Sequence, residues 1–543
     1  MSVPFFSAEI TAYQPGSSSG AEYGWLTRPW LEIEPESGPA ESSITLRASD
    51  IGYVAASLDN ALYPPRLVEA ISIDRHLALA PGETVTSLSV GAIRLSNADG
   101  AFDDISTDYS ADARLARILY GVKPRDAARG ILQEPAYSSL RPLFTGLAQS
   151  WTLSEASLDI PLRDARYWLE RPYQQQVYGG TGGYDGHAGI AGQTLPRTRG
   201  GSSLNPVRSV ALLLIDPVAR IYQYTDAAGT VINLYENAAR FNINAGDTAD
   251  LYSGSTPEGA YRTDNSRGLV QLGSDAVGVI TADVTGAFPV AGQINFGPNQ
   301  LRYILTEDLQ LSADYVDVSA FTTLTSRAWV SGWHWPSGDG ADGVAAIGPF
   351  LRGLGARLLP RRDGRLAPVI FGALAEDATP AGELTPATIA DLRPNSLGAP
   401  LDPPAARWRV GYRRLHTVQR TGLSPLLTPA QVQIAGQEWQ VAARFSATVA
   451  AAQARPSDPD IISTALLVQA NAEALADEIS ALWGTRRRLY DVTVPLEIGM
   501  RHDIGDVVRL TYPFGDLRAG RLGRVVGEQI RTGSATSTLQ VLV

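Results

Sequence analysis

The chain has 543 residues, 44% apolar and 19% charged, which is enough for three or four globular domains and ill-suited to long disorder. It contains no cysteine, so disulfides, zinc–thiolate sites, iron–sulfur clusters and thiol nucleophiles are excluded. The net charge is −11, the only lysine is Lys123, and no basic run exceeds Arg486-Arg487-Arg488, which argues against a surface that grips nucleic acid.

The 52 glycines and 35 prolines are spread along the chain, a pattern of short strands and turns rather than long helices. Residues 1–10 lack the basic and apolar regions of a signal peptide, and no run of about 18 apolar residues suggests a membrane span. The first stretch reads as irregular, with a Gly/Ser loop over 14–24. Residues 43–47 alternate as a half-buried strand, with Ile44 and Leu46 on one side, and 68–73 do so less regularly. Residues 88–95 predict a strand stopped by the turn Asn97-Ala-Asp99-Gly100. Residues 143–147 and 156–162 are further strands, 110–119 a short helix or a strand, and 165–169 a helical turn before Pro172.

A Gly-rich, low-complexity loop covers 178–203 and marks a boundary. Beyond it, residues 210–215, 221–224 and 277–284 are β-like by their branched and aromatic residues. Residues 347–359 have helical spacing, with Pro349 placed in the first turn, and Arg362-Asp363-Gly364-Arg365 predicts a hairpin turn before a strand over 366–371. Residues 380–404 are Pro-rich and read as a linker. Residues 408–412 alternate as a strand. The clearest helix is 463–482, with Val468, Ala472, Leu475, Ile479 and Leu482 on one face, Ser463 or Thr464 as the cap and Gly484 at the end. Strands follow at 489–494, 507–510 and 536–543. Four units result: 1–175, 176–298, 299–404 and 405–543.

No motif carries a complete chemistry. The five histidines, His76, His187, His334, His416 and His502, are far apart in sequence and none lies in H-E-x-x-H. His502 and Asp503 are adjacent, which on a strand points them to opposite faces. Gly16-Ser17-Ser18-Ser19-Gly20 has the spelling of a nucleophile elbow without the strand and helix it needs. The Gly-rich loop lacks both phosphate-loop spacings. Asn97, Asp99, Asp103 and Asp104 lack the alternating ligands and distal Glu of a calcium loop and read better as a capped turn. Trp329, Trp333, His334 and Trp335 form a dense aromatic group, a candidate interface or ligand patch whose simpler reading is a core or interface cluster. No catalytic, cofactor or metal residue is assigned.

Several segments resemble the tail-hub proteins of long-tailed bacteriophages and related gene transfer agents. They are Gly91 with Ile93, Asn97, Asp99, Gly100 and Asp103; Phe144-Thr145-Gly146 followed by Leu162-Arg163-Asp164; and Leu195-Pro196-Arg197 with Asp216-Pro217 and Ile221-Tyr222-Gln223. Tyr261-Arg262-Thr263-Asp264, Gly268-Leu269, Leu272-Gly273 and Thr281 to Gly286 follow, then Trp408 to Tyr412 with Thr417-Val418-Gln419. The last are Tyr490 to Pro495, Ile504 to Val508, Leu510-Thr511 and Ala519 to Gly523.

The resemblance implies a β-rich α+β fold, mainly β with a few helices and several β-barrel- or sandwich-like hub domains. It implies a non-enzymatic virion protein of the tail tip or baseplate, made in the bacterial host cytoplasm. This protein closes and extends the tail tube and links it to fibres for host attachment and DNA delivery. Expected partners are other copies of itself in a ring, read as a homotrimer, a distal tail protein, a tape-measure protein and receptor-binding fibres. DNA is met only in transit, and an acidic lumen suits sliding. No cofactor is expected. The alternatives are a receptor- or glycan-binding tail protein and a wall-degrading tail enzyme of the glycosidase class.

Overall fold

Period-two alternation builds the first sheet. In Ser157–Arg163, Leu158, Ile160 and Leu162 point inward, and the residues between them face out. The computed structural model describes residues 3–13, 43–68, 71–84, 86–126, 128–287, 295–398 and 401–543. The fold is a β-rich α+β one, 37% strand and 19% helix, with several sheets and a half-barrel.

The half-barrel has seven antiparallel strands. Thr152–Leu153, Ser157–Arg163, Arg141–Ala148, Leu115–Lys123, Val3–Tyr13 and Ser43–Ser49 lie in that order, and Ala92–Ser96 pairs with Ser157–Arg163. Its inner face holds Ala8, Ile10, Ile93, Leu95, Ile118, Phe144 and Ile160.

The largest sheet has eight strands. Gly382–Leu384, Val507–Leu510, Arg521–Arg531, Thr536–Leu542, Leu489–Pro495 and Asp391–Asn395 lie in that order. Ser72–His76 pairs with the far half of Arg521–Arg531 and brings Ser87–Val90 with it. The first and last quarters of the sequence therefore share one sheet. Ile71, Ile73, Leu496, Met500 and Ile530 extend the half-barrel core into it.

Two smaller layers, of four strands and five, form a sandwich from residues 207–285 around Val210, Tyr224, Leu234, Val270 and Val284. A helical middle section packs Leu301, Leu305, Phe350 and Leu354 against Trp335 and Tyr173. The hairpin Arg407–Tyr412 with Gln440–Phe445 lies under the helix Gln469–Trp483, which buries Ala472, Leu475, Ile479 and Leu482 as its spacing predicts.

The expected strands at 43–47, 143–147, 156–162, 408–412, 489–494, 507–510 and 536–543 are present, as are the turn at 165–169 and the 362–365 hairpin. Other expectations are corrected. The start is not irregular: Val3–Tyr13 is a long strand between two partners, and Phe6, Ala8 and Ile10, which alternate in sequence with Ser7 and Glu9, are buried. Residues 88–95 are two strands. The apolar positions slip by one at Gly91, from Leu88 and Val90 to Ile93 and Leu95, so the halves serve different sheets.

Residues 347–359 are not one helix. The helix is Gly343–Gly353, opened by Asp342 accepting from Ala345 N, with Pro349 in its interior, and Leu358 belongs to the strand Ala356–Pro360. Pro349 leaves the Ala345 carbonyl without its inner donor, which is tolerated because Ala345 is exposed to solvent; the Pro349 carbonyl accepts from Ala465 N at 2.9 Å.

The Pro-rich stretch is no bare linker: Gly382–Leu384 and Asp391–Asn395 are edge strands, where Pro394 costs no inward ladder bond. The long helix starts at Gln469. Ser463 sits in the strand Ile462–Ser463, and Thr464 donates to Gly411 O at 2.7 Å, so neither caps it. The strand Arg521–Arg531, central to the largest sheet, has no counterpart in the reading of alternation. Residues 14–24, with the Gly16–Gly20 motif, lie outside the described residues, as do 69 and 70 of the 68–73 segment.

Candidate functional site

The strand Gly332–Trp335 carries three of the four residues of the aromatic group and is buried throughout. It pairs with Arg197–Gly200, setting Arg197 opposite Trp335, Thr198 opposite His334 and Arg199 opposite Trp333. The pairing needs Gly200, which has φ +80°, because a Cβ there would collide with the Ser331 carbonyl oxygen.

Strand alternation divides the group. Trp335 meets Tyr173 edge-on at 4.7 Å and stacks near Phe350 at 6.3 Å. Trp333 lies under the Arg414 guanidinium at 4.8 Å, with His416 at its edge at 5.1 Å. Trp329 is half-buried, with Arg327 over its ring at 5.1 Å. The rings therefore face separate neighbours inside the molecule and present no common platform to solvent.

His334 points the opposite way from Trp333 and Trp335. Thr198 Oγ1 donates to Tyr224 O at 3.0 Å, so its contact with His334 Nδ1 at 2.9 Å uses a proton on the imidazole. His334 Nε2 is buried without a partner. Burial, with the Arg414 charge second, lowers the His334 pKa to about 3. Burial also pushes His416 down, with His334 and Arg414 adding to it. Both rings are held neutral.

The other face of Arg197–Gly200 forms a charged knot that the sequence reading missed. Arg199 bonds both Asp308 oxygens at 2.7 and 2.9 Å and reaches Asp226 at 3.0 Å. Arg197 bonds Asp226 at 2.7 Å and Tyr173 O at 2.8 Å, with its guanidinium over the Tyr173 ring at 4.6 Å. Tyr173 donates to Asp308 at 2.5 Å. All four charged side chains are nearly excluded from solvent. Burial works to raise Asp226, but Arg199 and Arg197 outweigh it and hold the carboxyl below its ordinary value. Two cations and two anions thus tie residue 173, the Gly-rich loop's outgoing strand, the sandwich at Asp226 and the helical section at Asp308. The only sequence trace is the i, i+2 spacing of Arg197 and Arg199, which puts both on one strand face.

A second buried knot joins the ends of the chain. Arg75 bonds Glu528 at 2.5 Å and Asp503 at 2.8 Å, and Arg362 also pairs with Glu528. His502 is buried, and its carbonyl accepts from Arg362 at 2.8 Å. Asp503 therefore serves Arg75 and not its neighbour His502.

Asn97 closes its turn by accepting from Phe102 N at 2.9 Å and donating to Asp103, and Asp99 pairs with Arg66. In the Gly-rich loop, Asp185 accepts from Gly179 N, Thr181 N and Thr181 Oγ1, which fixes its course without a ligand. His187 accepts from Gly189 N in the same loop, and His76 contacts Gln540.

A cleft of about 320 Å³ lies beside the half-barrel, lined by Asp112, Gln149, Ser150, Arg163 and Tyr167 among others. Among the described residues that line it, Asp112 has no second carboxylate to share glycosidase work. Among the described residues, no group of three or more histidine or carboxylate side chains is placed to hold a metal ion, and no helix is long and apolar enough to cross a membrane.

No protein-family model matches the chain, and no curated protein sequence does. Solved structures similar to it include a tail protein from Neisseria meningitidis, at 11% identity and TM-score 0.35, covering 91% of this chain and 95% of that one. A 43 kDa tail protein of prophage MuSo2 from Shewanella oneidensis is similar at 8% identity and TM-score 0.38, covering 89% and 94%. A chain of the virion of a native gene transfer agent is similar at 14% identity and TM-score 0.36, covering 65% and 84%.

Proposed function

We propose that this chain is a structural virion protein, the hub of a phage-type tail tip or baseplate, which closes and extends the tail tube and carries the receptor-binding fibres. One observation supports this reading most. The segments that resemble tail-hub proteins are far apart in sequence, yet many of them lie on strands that bond one another. Ala92–Ser96 and Arg141–Ala148 both pair with Ser157–Arg163, and Val507–Leu510 pairs with Arg521–Arg531 in the sheet that also holds Leu489–Pro495.

In this role the chain assembles as a closed ring, a homotrimer, against a distal tail protein and a tape-measure protein, and DNA passes only in transit. The four units 1–175, 176–298, 299–404 and 405–543 are proposed as its working divisions. Ser72–His76 and Ser87–Val90 then cross from the first into the sheet of the last. Trp329, Trp333, His334 and Trp335 serve the joint between units. The first charged knot locks that joint and the second ties Ser72–His76 to Arg521–Arg531, which suits a part that transmits load and performs no chemistry.

Immunogold labelling of particles with an antibody against the chain tests the reading. Label is expected at the tail tip. Label confined to the capsid, or normal tips on particles made without the chain, would overturn it.

A further inference from the structure

The cleft of about 320 Å³ beside the half-barrel is preformed. Backbone bonds hold its floor: Ala113 N donates to Ala148 O at 2.9 Å, Ala148 N to Arg114 O at 2.7 Å and Gln149 N to Pro161 O at 2.8 Å. Leu147 and Ala148 are buried there. Tyr167, half-buried, lines the same cleft and packs on the helical core. A fixed floor removes part of the ordering cost that binding otherwise carries.

Four polar groups on its lining residues have no partner among the described residues: the Asp112 carboxylate, the Ser150 hydroxyl, the Tyr167 hydroxyl and the Gln149 amide nitrogen. The Gln149 amide oxygen, by contrast, accepts from the Arg163 guanidinium. Arg163 also meets Glu170 at 3.3 Å and lies over the Tyr167 ring at 5.5 Å. A single exposed polar group is ordinarily met by water. Here donors and acceptors converge on one concave volume with an apolar floor, which is the make-up of a small-molecule site.

We infer that this cleft binds a neutral saccharide, one or two sugar rings in size. Charge selects the class. Asp112, and Glu170 beside Arg163, oppose an anion, and Arg163 opposes a cation. Hydroxyls both donate and accept, so a sugar answers Asp112, Gln149 and Ser150 together. Its C–H groups match Leu147, Ala148 and the Tyr167 ring. The volume lies at the small end of the range for ligand sites, about 300–1,000 Å³. With one carboxylate in the lining, the sugar is held and not cleaved. Such binding is a property of the chain alone and stands or falls separately from the tail-hub reading.

Saturation-transfer NMR of the full chain tests this. The probes are glucose, galactose, mannose, rhamnose, N-acetylglucosamine and N-acetylgalactosamine at millimolar concentration, with citrate and putrescine as charged comparators. At least one sugar is expected to bind saturably. The double variant Asp112→Asn with Gln149→Ala is expected to weaken that binding about tenfold, by loss of two hydrogen-bonding groups. Asp104→Asn, at an exposed acid outside the cleft, is expected to change nothing. Absence of saturable binding by every sugar, or equal binding by the double variant, would overturn the inference. So would citrate or putrescine binding that the double variant removes, because the guest would then be charged.

Ser150→Cys gives a second readout that does not depend on disruption, because the chain has no other thiol. At a sugar concentration of about ten times Kd, maleimide labelling of this variant is expected to slow about tenfold. Equal rates with and without the sugar would sink the proposal.

Discussion

At the residue scale, the charged knot makes the sharpest claim. Arg199 neutralises two buried carboxylates at once. Removing it strands Asp226 and Asp308 where water does not reach. Arg199→Ala is expected to cost about 3–5 kcal/mol, read as a lower urea midpoint with the m-value unchanged. Arg393→Ala, whose pair with Asp391 is exposed, is expected to move the midpoint within about 0.5 kcal/mol.

His334 makes a pH prediction. Its folded pKa, about 3, lies below its ordinary 6.5, so the unfolded chain takes up the proton first as pH falls. Its contribution to stability is therefore full above pH 6.5 and is lost from there down toward pH 3, at up to about 1.4 kcal/mol per pH unit. Urea midpoints measured from pH 7 to pH 5 should fall more steeply for wild type than for His334→Leu. Parallel slopes would contradict the neutral, buried state of the ring.

At the element scale, the pairing of Arg197–Gly200 with Gly332–Trp335 depends on backbone approach at Gly200. Gly200→Ala forces an L-residue into φ +80° and drives a methyl into a carbonyl. The expected loss is about 2–4 kcal/mol, seen as a lower Tm. Gly372→Ala, with open space around its Cβ position, is the matched control and should be nearly silent.

The elements also show how far patterning reaches. The face of Gln469–Trp483 follows from 3.6-residue spacing, but its first turn does not. Ser463 and Thr464 have the chemistry of a cap, yet the neighbouring strand Arg407–Tyr412 claims them through pairing and through Gly411 O. Pro349 reads as a helix start because proline forfeits an inner bond, but packing of Ile347, Phe350 and Leu351 carries the helix through it.

At the scale of the whole molecule, the chain folds back on itself. Thr536–Leu542 lies between Arg521–Arg531 and Leu489–Pro495, in the middle of the largest sheet, and Ser72–His76 extends the same sheet. Deleting residues 536–543 removes an interior strand and opens two ladders. The truncated chain is expected to be insoluble on expression, and recovery of a soluble, cooperatively melting product would contradict this topology. Loss of the exposed strand Ile243–Asp247 pairing, by Ile243→Pro, should by contrast leave a soluble chain, because that strand lies at a sheet edge and is exposed throughout.

Composition, periodicity and turn chemistry by themselves determined a thiol-free, acidic, β-rich chain, several of its strands, the 362–365 hairpin and the buried face of its longest helix. These are short-range properties, set by backbone preferences and by which side of an element is apolar. Tertiary structure alone decided the partners. It placed Ser72–His76 and Ser87–Val90 in the sheet that holds Leu489–Pro495 and Thr536–Leu542, turned the Pro-rich stretch into two edge strands and gathered Arg197, Arg199, Asp226 and Asp308 from three distant segments. It also enclosed the Trp333–Trp335 strand while leaving the helix Pro429–Ala435 in solvent. Buried ion pairs and sheet order depend on contacts across hundreds of residues, and no local pattern records which charge will meet which.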